Sequence, residues 1–185
     1  MCGNRLGGRR LKVLIADDEI KVCRLIQHLV DWDALEMDII GFANDGKTAY
    51  ENICEKKPDI VITDIRMPIY DGLELIRRAK ETNPEINFIV ISGYSQFEYA
   101  QQAIKYGVKD YLLKPLKKRE LENSLIEIKE SHESLIKSAR IRNELESIIE
   151  ASREHIQENF LMKTLQNSAT NPCLLYTSPS PRDCS

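Results

Sequence analysis

Three carboxylates and one ammonium group follow short apolar runs in this chain, and these residue types can hold a hard cation and accept a phosphoryl group. Asp64 ends the run Ile60-Val61-Ile62-Thr63, Asp17 and Asp18 follow Val13-Leu14-Ile15-Ala16, and Lys114 follows Tyr111-Leu112-Leu113. If those runs are neighbouring parallel strands, all four groups converge at one edge of one sheet. Phosphoryl transfer requires an in-line nucleophile, a cation to offset phosphate charge, and donors for the equatorial oxygens. Magnesium favours hard oxygen ligands, commonly one or two carboxylates with waters and a phosphate oxygen. Asp18 and Asp64 are the expected direct ligands, with Asp17 orienting a metal-bound water and the backbone carbonyl of Arg66 completing the set. A carboxylate that attacks phosphorus becomes an acyl phosphate. Lys114 would then neutralise the new group, and the Ser92 hydroxyl would donate a hydrogen bond to it.

Taken singly, each residue has a plainer role. An Asp after a strand is usually a helix cap or a turn residue. Ser92-Gly93 would be a turn, Lys114 a solvated lysine and Tyr111 a half-buried strand aromatic. It is their joint position at the ends of the first, third, fourth and fifth runs that points to a site.

The elements that must position them are legible from residues 11 to 129. Apolar runs at 11–16, 38–43, 60–63, 88–92 and 111–113 are unalternating and rich in Ile and Val, as parallel strands covered on both faces are. Between them lie helical patterns. One face carries Val22, Leu25, Ile26 and Leu29 in the first, and Ala49, Ile53 and Cys54 in the second. The third has Leu73, Leu75, Ile76 and Ala79; the fourth has Phe97, Ala100, Ala103 and Ile104. Turn signals fall at Asn44-Asp45-Gly46, Asn83-Pro84 and Tyr106-Gly107. Strict alternation predicts an α/β fold, a doubly wound five-stranded parallel sheet, followed by a long helix. Ligands of such sheets bind beyond the carboxyl ends of the strands, where Asp17, Asp18, Asp64, Ser92 and Lys114 would all lie.

From 118 to 166 there is neither Gly nor Pro, and apolar residues recur every three or four positions. Leu121, Leu125, Ile128 and Leu135 keep one heptad phase; the stripe then slips and resumes at Ile141, Leu145, Ile148/Ile149, Ile156 and Phe160. Two readings stay open: a homodimeric coiled coil through 119–166 with a stutter, or a linker helix whose apolar face packs on a further domain. The expected divisions are a disordered extension at 1–10, a domain at 11–129, a helical linker at 130–167 and a disordered tail at 168–185. The tail stretch from Cys173 to Asp183 back-translates as a transposase adapter used in sequencing libraries, so it is set aside as a scar.

The 185 residues carry 26 basic and 29 acidic side chains, a formal charge of -3. That balance excludes the strong basic excess of a nucleic-acid footprint. The five cysteines form no metal-ligand spacing and fit scattered buried thiols in a reducing compartment. Arg5, Arg9 and Arg10 precede an apolar stretch too short for a signal peptide or a membrane span, so a cytoplasmic protein without membrane contact is expected.

At this point the chain resembles the receiver domain of bacterial two-component response regulators, a flavodoxin-like fold. The matching stretches are Val13 to Glu19, Asp59 to Pro68, Asp71-Gly72, Ile91 to Tyr94 and Tyr111 to Pro115. The resemblance implies that Asp64 is the phosphoacceptor for a sensor histidine kinase, and that Asp17, Asp18 and Asp64 hold magnesium. It further implies that Ser92 and Tyr111 couple phosphorylation to the far face, and that the Lys114–Pro115 peptide is cis. Such a protein is a phosphoacceptor rather than a dedicated enzyme. Asp31-Trp32, the Asp64 to Pro68 loop, Ser92 to Ser95 with Phe97 to Ala100, and the long helix look like the subgroup with an AraC-type helix-turn-helix output. No such output lies within this chain, so DNA binding is implied for a longer parent only. One departure is the basic Lys117-Lys118-Arg119 at the start of the last helix, which the helix dipole disfavours.

Two other classes compete. A receiver-like scaffold would signal through its helix without phosphate. A magnesium-dependent phosphohydrolase would need a second acid two residues beyond Asp64, where Arg66 stands. A nucleotide-binding fold is weaker still, since no Gly-rich loop follows the first strand.

Overall fold

The computed structural model describes residues 9–93 and 97–169, without the side chains of 97, 151 and 154–169. Five strands alternate with five helices: β1 (Leu11–Ala16), α1 (Ile20–Leu29), β2 (Met37–Ala43), α2 (Gly46–Lys56), β3 (Ile60–Asp64), α3 (Gly72–Thr82), β4 (Asn87–Ser92), α4 (Phe97–Lys105), β5 (Asp110–Leu113) and α5 (Lys118–Ala169). The sheet is parallel throughout, in the order β2-β1-β3-β4-β5. The order reverses between β1 and β3, so their carboxyl ends flank the crevice of a doubly wound sheet.

Period-two alternation divides the strand side chains between two cores. Val13, Ile15, Ile60, Ile62, Ile89 and Ile91 join Cys23 and Ile26 of α1 and Leu121, Leu125 and Ile128 of α5. Leu14, Val61, Phe88 and Val90 point the other way, against α2, α3 and α4. Each fully buried aliphatic chain contributes roughly 1.5–3 kcal/mol. That burial, on both faces at once, is why these strands carry no polar alternation.

Two of the helices, α2 and α3, begin where a side chain satisfies an open amide, whereas Glu19 makes no such bond at the start of α1. Asp45 accepts from the Thr48 amide at 2.7 Å and Asp71 from the Glu74 amide at 2.7 Å; each such cap is worth about 1 kcal/mol. α5 does begin at Lys118 despite its basic start. Glu120 stands in its first turn, and the ion pairs Lys117–Glu120 (2.7 Å) and Lys118–Glu122 (3.5 Å) offset the unfavourable charge. Trp32, just beyond α1, donates its indole N–H to the Gln27 carbonyl at 2.9 Å and packs on the α1/α5 core.

Three expected inward residues face water instead. Leu25 is 50% exposed and Ile104 72%, while Cys54 is also exposed. In each case the adjacent residue, Ile26, Ala103 or Ile53, occupies the inward position, and a helix advances about 100° per residue. The thiols are therefore not uniformly buried: Cys23 is, Cys54 is not.

The chain divides into two compact units, Met1–Glu133 and Ser134–Ser185. In the second, Leu135, Ile141, Leu145, Ile148 and Ile149 are all more than half exposed. Residues 1–8 of the expected extension at 1–10, the Tyr94-Ser95 pair and residues 170–185 of the expected tail at 168–185 lie outside the described residues, as do the Ile156 and Phe160 side chains. Arg9 pairs with Asp59 and Arg10 with Asp33 and Asp38, and residues 168–169 close α5. Among the described residues no helix is long and apolar enough to cross a membrane.

Candidate functional site

Strand register assembles the polar groups. Ala16 pairs with Thr63, so Asp17 and Asp64 leave adjacent strands side by side. Ser92 pairs with Leu113 on the other flank, and the Lys114 amide donates to the Ser92 carbonyl at 2.8 Å. The Lys114 side chain then reaches across: its ammonium Nζ lies 2.8 Å from Asp64 Oδ2 and 3.0 Å from Asp17 Oδ2. The Lys114–Pro115 peptide is cis.

Asp17 and Asp64 are buried and Asp18 is exposed, yet one carboxylate oxygen from each lies within 4.8 Å of the other two. Burying carboxylates is costly unless hydrogen bonds and opposite charge compensate. Asp17 Oδ1 accepts from the Glu19 amide at 2.9 Å, and Asp64 Oδ1 from the Ile65 amide at 2.6 Å. The remaining Oδ2 atoms share the one ammonium. Burial pushes the Asp17 carboxyl above its ordinary value; the Glu19 amide and Lys114 pull it down, and the Asp64 charge adds to the rise. Burial alone would lower the Lys114 ammonium, but its hydrogen bonds to Asp64 and Asp17 outweigh it, so its net shift is upward. Three carboxylates against one ammonium leave the cluster short of positive charge, and hard oxygens at this spacing suit a small divalent cation.

The loop after Asp64 is held from several directions. Ile65 and Met67 are buried while Arg66 is exposed, and the Ile65 carbonyl accepts from the Gly72 amide at 2.7 Å. Ile69, 68% exposed, has a φ of 71°, and the Tyr70 amide donates to the Pro68 carbonyl at 2.9 Å, closing a γ-turn. Gly72 packs so closely that a Cβ there would lie 2.2 Å from the Asp64 carbonyl oxygen.

The structure thus brings Asp17, Asp18, Asp64 and Lys114 into one cluster. Ser92 is buried at the end of β4 beside it, and Tyr111, one strand further out, is half-buried against the α2/α3/α4 core. Sequence reasoning took Gly46 only as part of a turn signal and Gly72 only as part of a matching stretch, and gave neither a role at the site. Their signal was present in the two Asp-Gly pairs, Asp45-Gly46 and Asp71-Gly72, in each of which the Asp caps a helix and the Gly opens it.

Residues 13–126 match the family model described as the response regulator receiver domain, and the chain belongs to that family. It is 41% identical to the receiver domain of AraT, a response regulator from Geobacillus stearothermophilus, with a TM-score of 0.65 over 68% of this chain and 97% of that one. It is 40% identical over 161 residues to the uncharacterized transcriptional regulatory protein YesN of Bacillus subtilis, covering 85% of this chain and 44% of that protein. The transcriptional regulatory protein ZraR of Klebsiella oxytoca is 36% identical over 123 residues, 66% of this chain and 27% of that one. The chain therefore spans less than half the length of these two relatives. The YesN match is longer than the receiver match, which ends at 126, and so runs further along α5.

Proposed function

We propose that Asp64 is the phosphoacceptor of this receiver domain and takes its phosphoryl group from a sensor histidine kinase. The observation that carries this is the Lys114 ammonium held 2.8 Å from Asp64 and 3.0 Å from Asp17 at the mouth of the sheet. An Asp64 oxygen forms the new bond to phosphorus while the phosphorus–nitrogen bond to the donor histidine breaks, and the imidazole leaves with that electron pair. Asp18, Asp64 and the Arg66 backbone carbonyl would hold magnesium, with Asp17 orienting a metal-bound water, and the ion would supply charge neutralisation for the transferring group. Lys114 pairs with a phosphoryl oxygen once Asp64 carries the acyl phosphate, and the Ser92 hydroxyl donates to another. Tyr111 then follows Ser92 inward and biases the surface of α4, β5 and α5.

The same reading assigns 11–129 to the receiver, 130–167 to a linker, 168–185 to an adapter scar, and the protein to the cytoplasm. The longer parent is a DNA-binding transcriptional regulator, supported by the transcriptional regulatory proteins YesN and ZraR that the chain matches, and the Asp31-Trp32 and Phe97 to Ala100 motifs favour the AraC-output subgroup. Of the expected dimer stretch 119–166, Leu121, Leu125 and Ile128 are already taken up by the receiver core, and the exposed stripe of Ile141, Leu145 and Ile148 supports self-association through the part that lies in the second unit.

Intact-protein mass after incubation with a small acyl-phosphate donor tests the assignment. A single magnesium-dependent phosphoryl adduct is expected, and none in Asp64→Asn. Undiminished labelling of that variant would refute the role given to Asp64.

A further inference from the structure

We propose that Gly46, at the start of α2, is a positioning residue for phosphoryl transfer. It acts by holding the turn that follows the nucleophile. The inference rests on the function proposed above, because the held loop carries Asp64 at one end and the Arg66 carbonyl within it.

Two independent contacts tie Gly46 to that turn. Its amide donates to the Pro68 carbonyl at 3.2 Å, the same oxygen that accepts from Tyr70 at 2.9 Å. Its bare Cα also lies against Tyr70, and a Cβ built there would be 2.1 Å from the Tyr70 carbonyl oxygen and 2.7 Å from the Tyr70 Cβ. Neither obstacle is the flexible end of a side chain, so a methyl group can be accommodated only if backbone moves. The turn is poorly placed to hold itself. Ile69 at its centre is β-branched with a φ of 71°, a conformation such residues rarely adopt unless surroundings impose it. α2, by contrast, is a firm support. Asp45 caps it through both the Thr48 amide and the Thr48 hydroxyl, each at 2.7 Å. The Gly46 backbone is not in the left-handed region, and alanine is the better helix former, so Gly46→Ala should leave α2 itself intact.

Displacement of the turn is transmitted toward Arg66 and Asp64, because the loop between is short and its Ile65 and Met67 side chains are buried. The expected effect is on ion binding and on transfer, ahead of any general loss of structure. In calorimetric titration with magnesium chloride, Gly46→Ala should bind about tenfold more weakly than the wild type, with slower labelling by the acyl-phosphate donor even at saturating magnesium. Ile53→Val, elsewhere on α2 and buried, serves as the comparison for a merely structural loss. It should lower stability with unchanged magnesium affinity and labelling. Wild-type affinity and labelling in a folded Gly46→Ala protein overturn the proposal, as does an equal loss in Ile53→Val. Should Gly46→Ala fail to fold, the wild-type protein still decides. Magnesium should raise hydrogen-exchange protection at the Gly46 and Tyr70 amides together, and protection unchanged at both refutes the link. A wild-type protein that neither binds magnesium nor takes label instead removes the underlying function, and the proposal with it.

Discussion

Replacing Lys114 by Met removes the ammonium that pairs with both buried carboxylates of the site. Its ammonium lies 2.8 Å from Asp64 and 3.0 Å from Asp17. At an effective dielectric near 20, unit charges at those distances attract by about 6 and about 5.5 kcal/mol. Desolvation of all three groups cancels much of that gross energy. Removing one partner of a buried pair costs about 3–5 kcal/mol, because the remaining charge is left uncompensated. Lys114 keeps 23% of its side-chain exposure, so water screens part of the loss and about 2–3 kcal/mol is expected. For a domain of this size that is a melting temperature lower by ~10 °C. The measurement is urea unfolding at pH 7 in a chelator and again in excess magnesium. Magnesium should narrow the gap, since without the ammonium the carboxylates meet the ion unopposed. A divalent and a monovalent cation ~5 Å apart repel by roughly 1.7 kcal/mol in a water-like dielectric, more than a tenfold effect on affinity. The pH dependence has a definite sign. A lysine held above its ordinary value of 10.5 stabilises fully below that pH and loses its contribution as pH rises through the folded value. The difference between wild type and variant should therefore close only on the alkaline side. Equal stability in chelator at neutral pH, or a gap that magnesium widens, would refute the electrostatic reasoning.

Asp17 should also cost stability as pH rises, but in the acid range rather than the alkaline one. A carboxyl raised above its ordinary 3.8 binds protons more tightly in the folded state, so stability falls as pH rises from there through the folded value. Acid-side unfolding curves in chelator should show this decline in the wild type and a smaller one in Asp17→Asn; identical slopes would contradict it. Gly72→Ala sets a Cβ 2.2 Å from the Asp64 carbonyl oxygen. It should cost about 2–3 kcal/mol in urea unfolding and slow acyl-phosphate formation, whereas wild-type values in both would show that the backbone yields freely.

Much of this architecture could be read before any coordinate. The five apolar runs located the strands to within a residue: in β1, β3 and β4 burial on both faces leaves few polar interruptions, while the edge strands β2 and β5 are only partly buried. The register that aligns Asp17 with Asp64 could not be read, only its outcome, since pairing depends on how β1 and β3 slide against each other. Helix faces were less legible. Leu25 and Ile104 sit one position from the inward residues Ile26 and Ala103, and in short helices hydrophobicity alone does not separate neighbours 100° apart. At the site, the charged residues were visible as types at strand ends. The ammonium shared by two carboxylates was not, because that contact spans 97 residues from Lys114 to Asp17. Gly46 and Gly72 escaped for another reason: a residue that works by lacking a side chain leaves only its identity in the sequence, and close backbone approach appears only in three dimensions.

The position of Trp32 gives the chain a built-in spectroscopic gauge. It is the single tryptophan of the sequence, and it follows α1 at the amino-terminal edge of the sheet, opposite the end that bears Asp64. Its indole is fixed by the Gln27 carbonyl and the α1/α5 core, so its emission reports whether that core is intact. Ion and phosphoryl chemistry takes place at the opposite rim, so it can reach this chromophore only through a change in α5 packing. Tryptophan fluorescence therefore follows unfolding of the receiver, and any shift on phosphorylation of the folded protein reports movement of α5.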